Sequence, residues 1–127
     1  VFASSAIGFP LEQTVKTLVA DIGNKKFVLA LMPGDHQLSL KNLAKACSVK
    51  KAAMADTGTA ERLTGYLVGG ISPFGTKQRL PAVMEERLLN FDKIAINAGQ
   101  RGTMLIMSPK DIKKVLGCKI FELIQDS

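Results

Sequence analysis

VKTLVADIGNKKFVLALM, Val15 to Met32, holds two apolar runs, Val15 to Asp21 and Lys26 to Met32, on either side of a Gly23-Asn24 pair. Runs of this length rich in Val, Leu and Phe read as strands, and a Gly-Asn pair between them is a strong hairpin signal. In the first run, alternation puts Lys16, Leu18 and Ala20 on one face and Val15, Thr17 and Val19 on the other. Both faces are largely apolar, so the hairpin belongs inside a sheet.

Outward from the hairpin, short helices alternate with further strands. Upstream, Val1 to Ile7 closed by Gly8 reads as the end of a helix. Downstream, Ser39 is placed to cap a helix running to about Cys47, with Leu40, Leu43, Ala44 and Cys47 on one face. AAMAD is a brief strand. Thr57 is expected to cap a second helix, Gly58 to Leu63, ended by Gly65, after which Tyr66 to Val68 reads as a buried strand. Leu80 to Met84, Lys93 to Asn97 and Thr103 to Met107 add strands, with AGQRG as a turn before the last. Ser108-Pro109-Lys110-Asp111 opens a helix that stops at Gly117, and Lys119 to Ile124 closes the chain as a strand. The pattern predicts an α/β domain with a mixed, curved sheet.

The 127 residues suit one domain that buries roughly two thirds of the surface of its unfolded chain. Hydrophobic residues at 46% against 22% charged argue against disorder. A formal charge of +6 favours polyanionic partners. The cations gather in Lys41 to Lys51, Lys77 to Arg79, Lys93 to Arg101 and Lys110 to Lys119, a spread suited to tracking a phosphate backbone. No helix-turn-helix pattern with basic, base-reading positions stands out, which speaks against sequence-specific DNA recognition. No apolar run has the roughly 18 residues of a membrane span. Cys47, Cys118 and the single His36 cannot compose a four-ligand zinc site, and reduced thiols in a cytoplasmic protein are expected. His36, in PGDHQL, reads as a loop residue.

Two features call for a chemical reading. TGYLVGGISPFG, Thr64 to Gly75, sets two adjacent glycines before a proline, and Gly69 and Gly70 would let a ligand touch the main chain, where successive N–H groups form an anion-binding concavity. A bulge or a tight crossing of chain on chain would use the same residues. The stretch is neither a GxGxxG nor a Walker loop, so no nucleotide cofactor is implied. Lys16, a cation within VKTLVA, either guards a sheet edge or serves a pocket that uses its charge.

VKTLV, the stretch AAMADTGTAERLTGYLVGGISPFGTKQRLP and the later NAGQRG, in that order and spacing, resemble the YbaK/EbsC/ProX family of trans-editing aminoacyl-tRNA deacylases, nearest its YbaK branch. The resemblance runs from about Gly8 to the last strand. It implies a mixed sheet curled around a central pocket with helices outside, and hydrolysis, without metal or cofactor, of the ester joining a wrong amino acid to tRNA. For YbaK-like proteins the substrate is cysteinyl-tRNA(Pro), and prolyl-tRNA synthetase is the implied protein partner. Residue by residue, Lys16 corresponds to the essential lysine, Gly69 to the pocket glycine at the scissile ester, and Asn97 to Gly102, including Gly99 and Arg101, to the glycine-rich pocket turn. Gly70, Ile71 and Ser72 complete the expected substrate contacts.

In that reading Lys16 holds the terminal adenosine or orients the ester, while N–H groups around Gly69 to Ile71 stabilise the oxyanion. Ser72 lacks a histidine partner and a GxSxG elbow, so water or the substrate's own thiol attacks. The chain departs from the family at Asn97, where relatives often carry serine, and at Met104, where an aspartate is common. One domain over residues 1–127 is expected, without the helix and strand that usually begin family members. Met104 and that shortened start leave open a non-catalytic module that binds the tRNA acceptor end or the synthetase, and a deacylase for another small amino acid such as alanine.

Overall fold

The computed structural model describes residues 9–100 and 103–125. Seven strands form one sheet: β1 (Thr14–Asp21), β2 (Phe27–Pro33), β3 (Ala53–Met54), β4 (Ala82–Glu85), β5 (Ile94–Gln100), β6 (Thr103–Met107) and β7 (Lys119–Phe121). The strand order is β6-β5-β1-β2-β4-β7, with β3 on the β1 edge. The β1/β2 and β5/β6 pairs are antiparallel, whereas β1/β5, β2/β4 and β4/β7 are parallel. The sheet is mixed, as the sequence predicts.

The hairpin forms where Gly23-Asn24 places it, with Val15 opposite Pro33 and Asp21 opposite Phe27. Its turn is longer than two residues: Gly23, Asn24 and Lys25 all have positive φ, and Lys26 N–H donates to the Gly23 carbonyl. Strand β2 is central and buried at all but its first residue, so its near-continuous apolar run faces core on both sides.

The three helices divide between the two faces. On one, Val15, Val19, Leu29, Leu31 and Met84 pack with Ala60 and Leu63 of α2 (Thr57–Thr64) and Ile112 of α3 (Pro109–Leu116). On the other, Ala20, Val28, Ala30 and Met32 pack with Leu43 and Ala44 of α1 (Leu40–Ala46). Ser39 caps α1 by accepting from Asn42 N–H, and Ser108 caps α3 by accepting from Lys110 N–H, with Gly117 closing α3 in the left-handed region. Local side-chain chemistry thus sets these boundaries.

Three sequence expectations are revised. The cap of α2 is Asp56, whose carboxylate accepts from Thr59 N–H, one residue before Thr57. Tyr66 to Val68 is a loop, with Leu67 70% exposed; Gly65 ends α2 at φ +80°, and the chain turns at once, Gly70 N–H donating to the Leu67 carbonyl. The last strand pairs only over Lys119–Phe121, with Ile124 returning as an isolated bridge to Leu38. The helix expected at Val1 to Ile7 lies outside the described residues.

Glu85, at 0% exposure, ends β4 and joins two segments. One carboxylate oxygen accepts from Leu123 N–H at 2.8 Å and the other from Arg87 N–H at 2.6 Å. These bonds tie the C-terminal segment to the sheet and replace the hydration that burial removes.

Candidate active site

The site begins with an interruption in the sheet. β1 pairs with β5 only at Thr14 and Val15, and with β3 only at Ala20 and Asp21. Between these contacts its outer edge has no strand partner. A cavity of about 420 Å³ opens there, lined by every residue from Val15 to Val19. Consecutive strand residues point to opposite faces, so a cavity touching five in a row meets β1 edge-on.

The backbone agrees with this placement. Gly34 N–H donates to the Thr14 carbonyl on the β2 side, whereas Ala55 N–H donates to the Val19 carbonyl on the outer side. Alternation along an antiparallel pair then turns the N–H and C=O of Thr17 toward the interruption.

The other walls come from four separate places. Met54 and Ala55 of β3 and its exit, Thr57 and Ala60 of α2, Val68, Gly69 and Ile71 of the glycine loop, and Asn97 with Met104 across β5/β6 complete the lining. Asn97 and Met104 are cross-strand partners just before a bulge that ends at the Gln100/Thr103 pair. Bulges bend a strand and re-aim its side chains.

Asn97 fastens the bulge to the loop. Its side-chain oxygen accepts from Gly99 N–H at 2.8 Å, and its amide nitrogen donates to the Gly69 carbonyl at 3.4 Å. The amide does this with a separate acceptor oxygen and donor nitrogen, so Asn97 has a defined structural use here. Tyr66 makes a second fastening: its ring lies over Gly99 and its hydroxyl donates to the Phe74 carbonyl. The loop is closed at its base by Lys77 N–H to the Thr64 carbonyl and Gln78 N–H to the Leu63 carbonyl.

The expected site residues separate into two groups. Lys16, Gly69, Ile71 and Asn97 line the one cavity. Gly70 and Ser72 are buried beside it with structural bonds: Gly70 N–H is held by Leu67, and Ser72 Oγ accepts from Phe74 N–H at 3.2 Å. Gly99 lies under Tyr66. Arg101 and Gly102 lie outside the described residues. His36 belongs to the turn after β2, where Nδ1 is 2.7 Å from Asp35 and Nε2 accepts from Arg87 at 3.3 Å.

Lys16 is half-buried and is the only charged residue among the described lining. No ion pair involves it among the described residues, so its charge is available to an anionic ligand. Most of the remaining lining is aliphatic. The cavity therefore suits a small apolar group carried by something anionic. No group of three or more His, Cys, Asp or Glu gathers to hold a metal among the described residues, and no described helix is long and apolar enough to cross a membrane.

Sequence reasoning did not single out Thr17, Met54 or Val68 as lining residues. Thr17 carried a faint signal, as the polar member of an otherwise apolar strand face. Nothing local marks Met54 and Val68, because the gap they border arises from where β3 and β5 stop pairing.

The sequence profile of the aminoacyl-tRNA editing domain family matches residues 3–115. The chain is 35% identical over 121 residues to an Enterococcus faecalis protein named as a candidate Cys-tRNA(Pro)/Cys-tRNA(Cys) deacylase, EbsC, covering 94% of this chain and 73% of that one. It is 32% identical over 112 residues to the Escherichia coli multifunctional Ser/Thr-tRNA deacylase ProXp-y, covering 85% and 67% respectively. A solved structure described as a candidate trans-editing enzyme for prolyl tRNA synthetase superposes with a TM-score of 0.89 at 27% identity, over 98% of this chain and 78% of that one. Profile, relatives and fold agree, and the chain belongs to the aminoacyl-tRNA editing domain family.

Proposed function

We propose that this protein hydrolyses mischarged aminoacyl-tRNA in trans, with Cys-tRNA(Pro) as the principal substrate and prolyl-tRNA synthetase as a working partner. The observation that carries the reading is the convergence of Lys16, the Gly69 loop and Asn97 on one cavity at the edge of β1. The tRNA 3′ end is anionic and the aminoacyl group small, which matches a lysine beside an aliphatic recess.

In this reading Lys16 receives the terminal phosphate or the ester oxygen. The ester carbonyl lies against Gly69, and water adds to its carbon. Negative charge then builds on the carbonyl oxygen and is met by main-chain N–H groups. Gly70 N–H is engaged within the loop, which leaves those of Gly69 and Ile71 for this role. The intermediate collapses by expelling the ribose oxygen, which takes up a proton, and the free amino acid departs. Positioning and electrostatics supply the catalysis, since neither lining threonine has a histidine beside it to make it a nucleophile.

Single-turnover deacylation of Cys-tRNA(Pro) tests the proposal. The wild-type protein is expected to release cysteine, and Lys16→Ala to slow release on the order of 100-fold. Equal rates would remove Lys16 from the mechanism. Met104, an apolar residue in the wall, favours a second reading, a module that binds the acceptor end without cleaving it. Enzyme-dependent release of any amino acid excludes that reading.

A further inference from the structure

β1 carries one pair of main-chain groups that the fold leaves unused. The N–H and C=O of Thr17 face the interruption, and among the described residues no strand or loop bonds either of them. Main-chain groups of a residue only 7% exposed are paired almost without exception, so an open pair beside an aliphatic recess points to a ligand. Thr17 Oγ1 is buried out of reach of the cavity, and the polar groups that Thr17 can offer there are those of its main chain. The neighbouring pairings show what is missing. The β1/β5 pairing stops at Val15 opposite Ile96, and Gly99 N–H turns to the Asn97 side chain. β3 runs antiparallel to β1, and Ala55 N–H continues it on the Val19 carbonyl. In that register Thr57 would come opposite Thr17, but Asp56 caps α2 and Thr57 starts that helix. One strand residue is thus absent from the β1 edge, and the cavity stands in its place.

We propose that the aminoacyl group fills this gap as a one-residue β-strand, its α-amino N–H donating to the Thr17 carbonyl and its ester carbonyl oxygen accepting from Thr17 N–H. This rests on the editing function proposed above. An extended α-amino acid presents its amine N–H and its carbonyl oxygen on one side, the donor and acceptor that an antiparallel partner exchanges with a hydrogen-bonded residue. Running antiparallel to β1, it carries its amine toward Val19 and its ester toward Lys16. The ester thus arrives beside the lysine, and Thr17 N–H adds a donor to those of Gly69 and Ile71. Directly opposed residues of an antiparallel pair project their side chains to the same face. An L-aminoacyl group therefore sends its side chain to the Thr17 face, among Val15, Val19, Ala60 and Ile71, all of which line the cavity. A D-aminoacyl group making the same two bonds sends it to the face of Lys16 and Leu18. The β1 main chain thereby reads the α-amine and the L configuration, independently of side-chain chemistry.

The test uses amide-linked, non-hydrolysable 3′-aminoacyl-adenosine analogues carrying L-cysteine, D-cysteine or 3-mercaptopropionate, the last lacking only the amine, alongside hydrolysis of the corresponding esters on tRNA(Pro). The L-cysteinyl analogue is expected to bind about ten-fold more tightly than either of the others, the scale of one lost hydrogen bond or one misplaced small side chain, with a matching ratio in kcat/KM. Its binding should slow hydrogen exchange of the Thr17 amide, followed by NMR, on the order of ten-fold. Incorporating the α-hydroxy analogue of threonine at position 17 replaces the N–H by oxygen and keeps the side chain, and should weaken binding of the L-cysteinyl analogue about ten-fold. Equal binding of the three analogues, no binding of any, or an unchanged Thr17 exchange rate would overturn the pairing. Hydrolysis of the L-cysteinyl ester in that event leaves the editing function standing. Discrimination by amine and configuration without hydrolysis of any ester would instead sink the editing function and leave the pairing.

Discussion

Gly99 is held to glycine by two constraints at once. Its φ of +102° lies where a side chain is strained, and a Cβ built there would sit 2.7 Å from Tyr66 Cε1. Gly99→Ala should destabilise the protein by about 2 kcal/mol, read as a lower denaturant midpoint at unchanged slope. Because Tyr66 also secures Phe74, the shift in its ring should loosen the Gly69 loop and slow deacylation as well. At this scale the sequence was informative where a residue is unusual for its surroundings. Lys16 and Gly69 stand out in their runs, and both line the cavity. Thr17 is an ordinary strand residue, and its place in the cavity lining emerges only once β5 and β3 are seen to leave that stretch of β1 open.

Helix α2 contributes Thr57 and Ala60 to the cavity, so its N-terminus sets one wall. The Asp56 carboxylate accepts from Thr59 N–H at 2.7 Å, and these bonds to Thr59, with Arg62 nearby, hold it below the usual carboxylate range. A carboxyl whose folded-state pKa is depressed stabilises the fold above its unfolded value and loses that contribution as pH falls through the folded value. Acid unfolding below about pH 4 should therefore include an Asp56 component. Asp56→Asn, which still accepts from Thr59, should flatten that limb in urea titrations across acidic pH, while Asp56→Ala should weaken the helix at neutral pH. Caps of this kind are legible in sequence because they depend on neighbours two or three residues apart, as Ser108 and Ser39 demonstrate. The cap of α2 reads one position late in the sequence, at Thr57, because Asp56 and Thr57 are adjacent and both suit the role. The apolar run Tyr66–Leu67–Val68 misled for a different reason: hydrophobicity reports burial on average, and here Leu67 and Val68 stand exposed beside the cavity.

For the whole molecule, the net charge of +6 acts through its distribution. Lys50 and Lys51 are both exposed and lie, with Ala52 between, just before the strand that supplies Met54 to the cavity lining. Replacing both with Ala should weaken tRNA binding at low salt and make the plot of log affinity against log salt shallower by about 1 to 2. An unchanged slope would place them on an ordinary solvated surface. The mixed α/β architecture was readable because the hairpin, the helix stops and the strand runs are local signals. The location of the cavity was not, since it depends on which strands fail to meet, a property of long-range pairing.

That failure to meet has an evolutionary consequence. The strand supporting the recess is anchored on its inner side by β2, while the walls belong to a two-residue strand, a helix start, a loop and a bulge. Ala60 and Ile71 of these walls belong to the packed centre, but Met54, Val68 and Met104 do not, and those three positions can be resculpted by substitution without disturbing it. Chemical taste is thereby uncoupled from structural integrity, and one scaffold can be retuned from one misacylated partner to another at little thermodynamic risk.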